Sequence, residues 1–144
     1  AIGKEKIGIR LSPYGVASDM KHYPEIDDTY NYLAGELNRK GIAYIHQVDH
    51  SSMGAPEVPS RIKKAIREKF CNTLILAGGY NKERAEEELQ GGLADLIAFA
   101  KPFINNPDLV KRLMNDLPLA KELDMKTFYS PGEKGYTDYP TYKA

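Results

Sequence analysis

Apolar residues fall along this chain in four runs of strand length, each followed by a polar or glycine-bearing loop and then by a segment of helical period. The runs cover residues 7–11, 42–48, 73–77 and 95–99. They are nearly continuous in apolar character, as expected of strands covered on both faces. The first helix is expected to start at Asp27 or Asp28 as its cap and to carry Tyr30, Leu33 and Leu37 on one face. Arg39 and Lys40 suit its C-terminus, and Gly41 ends it. Pro59-Ser60 opens a second helix with Ile62, Ala65, Ile66 and Phe70 on its apolar side; residues 82–90 form a third. The fourth follows Asn106-Pro107, read as an N-cap with proline at N1, and carries Leu109, Val110, Leu113 and Leu117. Four strand–loop–helix units in a row predict an α/β fold of parallel strands with helices outside. The long loops follow the strands, which places function at the strands' C-terminal ends. From Pro118 onward the pattern dissolves into an irregular tail bearing Tyr129, Tyr136, Tyr139 and Tyr142.

Composition narrows the class. At 144 residues the chain reads as a single domain, 1–144, with 118–144 as its tail. Twenty basic and twenty acidic residues cancel, so no global field draws it to nucleic acid or an anionic membrane. Cys71 is the only cysteine, which rules out an intrachain disulfide and a cysteine metal cluster and suits a reducing cytoplasm. No apolar run approaches the ~18 residues of a membrane span, and no signal-type apolar stretch is read at the start.

Few residues stand out chemically. Arg10 lies inside an apolar strand, where a charge is costly unless it is paired or points into a site. A planar guanidinium there suits an electron-poor, acceptor-rich ring; a structural ion pair is the plain alternative. Ala77-Gly78-Gly79 joins a strand to a helix and suits close backbone approach to a phosphate, although a tight turn alone would also need it. Ala100-Lys101 is a second small-plus-basic strand end. His46 and His50 are separated by strand geometry, so a shared metal is disfavoured; His46 and Asp49 are candidates to face the mouth of the fold. Tyr129 is a candidate to close over a flat ligand. No catalytic triad, paired-carboxylate motif, Walker loop or metal motif is present.

The segments GIRLSPYG, GIAYIHQ, LILAGGYNKERAEE, GLADLIAFAKPFINNPDLVKRL and FYSPGEKGYTDYP occur in one order over essentially the whole chain. Together they resemble the C-terminal half of the old yellow enzyme family, FMN-dependent ene reductases. The resemblance implies four consecutive β/α units, half of a (β/α)8 TIM barrel. It implies FMN as cofactor, NAD(P)H as hydride donor and an electron-poor alkene as substrate. It assigns Arg10 to the flavin ring, Ala77, Gly78, Gly79, Ala100 and Lys101 to the FMN phosphate, and Tyr129, beside Phe128, to the substrate side of the flavin.

Two departures qualify that assignment. Ala100-Lys101 stands where the family has Gly-Arg, so the bidentate grip of arginine is lost. The family's substrate-gripping and proton-donating residues belong to the other half of the barrel, so the resemblance places no catalytic residue in this chain. A half barrel would expose two sheet edges and an apolar interior. A second copy or an N-terminal half barrel is therefore expected as partner. The alternative is a non-catalytic flavin- or phosphate-binding half barrel.

Overall fold

The computed structural model describes residues 2–17, 19–129 and 131–143. They form two compact units, 1–98 and 99–144, which are taken separately below.

In the first unit, strands β1 (Gly8–Leu11), β2 (Tyr44–Val48), β3 (Thr73–Ala77) and β4 (Leu96–Ala98) alternate with helices α1 (Ile26–Lys40), α2 (Ser60–Lys69) and α3 (Lys82–Gln90). The strands make one sheet in sequence order, every pair parallel. Parallel order without crossing is what a series of right-handed β/α units produces. Strand β3 and helix α3 have the predicted bounds, while β1, β2 and β4 are one or two residues shorter.

The helix ends show which local signals operate. Gly41 ends α1 in the left-handed conformation, φ 67°, its N–H reaching the carbonyls of Leu37 and Asn38. Asn81 caps α3 by accepting the Arg84 N–H at 2.9 Å. The cap predicted for α1 is not used. Glu25 occupies the N-cap position without a side-chain bond, and Asp27 lies inside the helix. Its carboxylate accepts from Tyr14 Oη at 2.8 Å and from Arg61 Nε at the start of α2. An ion pair with a residue 34 positions on has displaced the local cap, and it holds Asp27 below the usual carboxylate range.

Alternation along the strands divides the sheet into two faces. Ile45, Leu74 and Leu76 are at most 1% exposed and share the helix-covered side with Leu11. Ala34 of α1, Ile62 and Ile66 of α2 and Phe70 after it complete that core. The opposite face carries Arg10, Tyr44, His46, Ile75 and Leu96, with Tyr44 40% and Leu96 53% exposed.

The second unit holds helices α4 (Lys101–Asn105) and α5 (Leu109–Met114) and a 3-10 turn, Met125–Thr127. Asn106-Pro107 does not cap a helix as predicted. Asn106 is buried, donating to the Pro102 carbonyl and accepting the Ala120 N–H, and Asp108 takes the N-cap position of α5. The tail is irregular, as predicted, yet it is anchored. Buried Arg112 donates to Asp108 Oδ1 at 2.7 Å and to the carbonyls of Pro118 and Pro140, while Asp108 Oδ2 accepts the Tyr142 N–H.

Candidate functional site

Arg10 is the third residue of β1, in register with His46 of β2 and, through it, with Ile75 of β3. It is exposed, on the sheet face opposite α1 and α2. Among the described residues no hydrogen bond or ion pair holds its guanidinium. A structural ion pair therefore does not account for the charge within this chain. His46 sits beside it with a buried Nε2 that has no hydrogen-bond partner among the described residues. Burial, and then the Arg10 charge, push the imidazole pKa below its ordinary value, which favours the neutral ring near pH 7.

The strand-end glycines divide into two kinds. Gly78 has φ 112°, and a Cβ there would stand 2.0 Å from the Asp49 carbonyl oxygen. Packing against the loop after β2 thus demands glycine at 78. That loop is organised by Asp49 itself. Its N–H reaches the Ala77 carbonyl at 2.8 Å, and its buried carboxylate accepts from the Ser51 and Val58 amides at 2.8 and 3.1 Å. Asp49, a candidate for the mouth, is committed to its own loop. Gly79 has φ 65° and open space around it; among the described residues beyond its chain neighbours, only Arg84 Nη1, at 3.9 Å, comes near a Cβ there.

Beneath the glycines Tyr80 is buried, its hydroxyl 3.4 Å from Glu88 Oε1 and its pKa raised by that burial. The Arg84 guanidinium lies 4.7 Å from the Tyr80 ring centroid. Lys63, 3% exposed, has its ammonium 5.9 Å from the same centroid and 3.8 Å from Glu88. Both contacts are within cation–π reach.

The remaining candidates belong to the second unit. Ala100 precedes α4 and Lys101 begins it, and both are exposed. Tyr129 is 98% exposed and meets Phe128 edge to face, the centroids 6.4 Å apart. Within the first unit the fold therefore brings Arg10 to His46, Gly78 to Asp49 and Gly79 to Arg84. Among the described residues no group of His, Cys, Asp or Glu gathers as metal ligands, and no helix is long and apolar enough to cross a membrane. Arg84 was not singled out in sequence, because one arginine among the charges of an exposed helix carries no distinguishing pattern.

A parallel β/α series with a basic residue on its open face and a glycine pair at a strand end fits the motif resemblance, and comparison with known proteins decides it. The profile of the NADH:flavin oxidoreductase / NADH oxidase family matches residues 1–120. The chain belongs to that family. It is 37% identical to 12-oxophytodienoate reductase 2 of Arabidopsis thaliana over 151 residues, covering 99% of this chain and 38% of that protein. A 12-oxophytodienoate reductase-like protein of Solanum lycopersicum is 39% identical over 140 residues, covering 96% of this chain and 37% of the relative. Morphinone reductase superposes with a TM-score of 0.89 at 39% identity, over 97% of this chain and 37% of that one. The old yellow enzyme of Trypanosoma cruzi gives 0.85 at 30% identity, over 99% and 37%. The chain thus spans well under half the length of these proteins. The old yellow enzyme resemblance and the TIM-barrel fold, of which the four units are a part, are borne out.

Proposed function

We propose that the chain is the FMN-holding part of an NAD(P)H-dependent ene reductase, acting on the C=C bond of electron-poor alkenes. The observation that carries this reading is the Arg10 guanidinium, unpaired among the described residues, on the exposed sheet face of a flavin-oxidoreductase family member. The residues suit the cofactor. Arg10 offers a planar, uncommitted donor fork to a flavin's acceptor edge, where its charge favours a reduced, anionic ring. Gly79 leaves open space at a strand end, where a phosphate needs close approach. FMN, when bound, supplies the two-electron chemistry that links a nicotinamide donor to the alkene.

In this reading Ala77, Gly78, Gly79, Ala100 and Lys101 hold the phosphate, Gly78 doing so through the loop packing it permits. Neutral His46 leaves Arg10 as the charge facing the ring. Tyr129 lies toward the substrate. The open sheet face, with Tyr44 and Leu96 exposed, is covered by a second copy or by an N-terminal half barrel, which supplies alkene polarisation and proton delivery.

The test is the visible spectrum of the purified full-length protein, followed by NADPH oxidation in the presence of a maleimide or a cyclohexenone. Bound flavin with alkene-dependent turnover is expected. Flavin without turnover points to a non-catalytic flavin-binding barrel, and a colourless protein that takes up no added FMN overturns the reading.

A further inference from the structure

We propose that Arg84 is a further phosphate-binding residue, its Nη1 taking a phosphate oxygen of the flavin nucleotide at Gly79. This rests on the FMN reading above and adds a residue to it. Of the two strand-end glycines, Gly78 is filled by the Asp49 carbonyl and offers a ligand no room. Gly79 is the open position, and the atom bordering its open side is Arg84 Nη1, at 3.9 Å from a would-be Cβ. The guanidinium lies against an aromatic face, and its backbone is fixed. The Tyr80 ring, itself buried, lies at 4.7 Å, and the Arg84 N–H is fixed by the Asn81 cap in the first turn of α3.

The two terminal nitrogens have different surroundings. Nη2 faces Glu57 Oε1 at 3.6 Å, a loose pair whose carboxylate is 68% exposed. Exposed pairs of this kind contribute little and are easily exchanged. Nη1 has no hydrogen-bond acceptor among the described residues, and the side chain as a whole is one-third exposed, so it is accessible to an anion. A guanidinium fork set against an aromatic face is a suitable phosphate donor. The neighbouring cleft, about 540 Å³, is lined by Glu57, Glu83, Glu87 and Glu88. Ser60, Asn81, Lys63 and Arg84 also line it, Lys63 lying 3.8 Å from Glu88 and Arg84 Nη2 3.6 Å from Glu57.

The experiment compares FMN and riboflavin binding to the full-length protein, to Arg84→Gln and to Arg84→Lys by fluorescence quenching, because riboflavin lacks only the phosphate. Arg84→Gln is expected to weaken FMN roughly tenfold, the loss of one charge-assisted hydrogen bond, with riboflavin unchanged; Arg84→Lys recovers part of the difference. Equal loss for both flavins, or no loss for either, overturns the role of Arg84. A wild-type protein that binds FMN no more tightly than riboflavin instead overturns the phosphate site itself. Should Arg84→Gln not fold, Glu57→Gln decides the matter. Releasing Nη2 is expected to tighten FMN about two- to threefold and leave riboflavin unchanged, and an unchanged FMN affinity sinks the proposal.

Discussion

The two faces of the sheet are built from the same strands, yet they are unlike. On one, Ile45, Leu74 and Leu76 are sealed beneath α1 and α2. On the other, Arg10, Tyr44 and Leu96 stand exposed, and His46 hides a ring nitrogen with no hydrogen-bond partner among the described residues. Both faces read as apolar runs in sequence, because in a closed barrel both are covered. The first face stabilises this chain by itself; the second is where the Arg10 charge and the proposed cofactor belong.

The largest test of that contrast is truncation on each side. Leu74→Ala, on the sealed face, is expected to cost about 2–5 kcal/mol in denaturant unfolding of this chain, whereas Leu96→Ala costs under about 1. Equal losses would remove the distinction between the faces. When the rest of the barrel is present, a rise in the cost of Leu96→Ala marks its burial there.

The glycine pair gives the next test. Gly78→Ala must push a methyl into the Asp49 carbonyl and also strain a positive φ, so a loss of about 3 kcal/mol or more is expected. Gly79→Ala meets no backbone atom and is expected to cost about 1–2 kcal/mol for the left-handed conformation alone. Thermal unfolding of the two variants checks the order; a costlier Gly79→Ala would mean that packing does not distinguish the positions. Asn81→Ala, which removes the α3 cap below Arg84, is expected to cost about 1 kcal/mol by the same measurement.

The smallest effect concerns His46. Its folded pKa is lowered by burial and by Arg10, so between that value and the unfolded one near 6.5 the unfolded chain binds more protons. Its contribution to stability is therefore present above the unfolded pKa and is lost as pH falls through that window. Arg10→Gln removes the charge but not the burial, and a proton NMR titration of the imidazole should show a partial upward shift. An unmoved titration would separate the two side chains that register places together.

Legibility in the sequence tracked how local each cause was. The run 73–77, the glycines after it and the cap at Asn81 contain their own instructions, and β3 and α3 came out with the predicted bounds. Asp27 misled because its carboxylate answers to Arg61, 34 residues away, and Asn106 because its side chain answers to Ala120 rather than to a helix start. Arg112 carries no distinguishing pattern in sequence, because its partners at Asp108, Pro118 and Pro140 are set by the fold. Of the candidate site, Arg10 and the glycine pair were visible as exceptions within apolar runs. Arg84 and the separate duties of Gly78 and Gly79 were not.

The sequence by itself determined the four β/α units, their parallel order and the family, because hydrophobic period, turn glycines and motif order are properties of neighbouring residues. Only the tertiary structure decided which face of the sheet lies opposite α1 and α2, that Arg10 has no hydrogen-bond or ion-pair partner among the described residues, and that Gly78 is closed by Asp49 while Gly79 is bordered by Arg84. Those facts depend on which distant segments meet, and no local pattern encodes a distance between them.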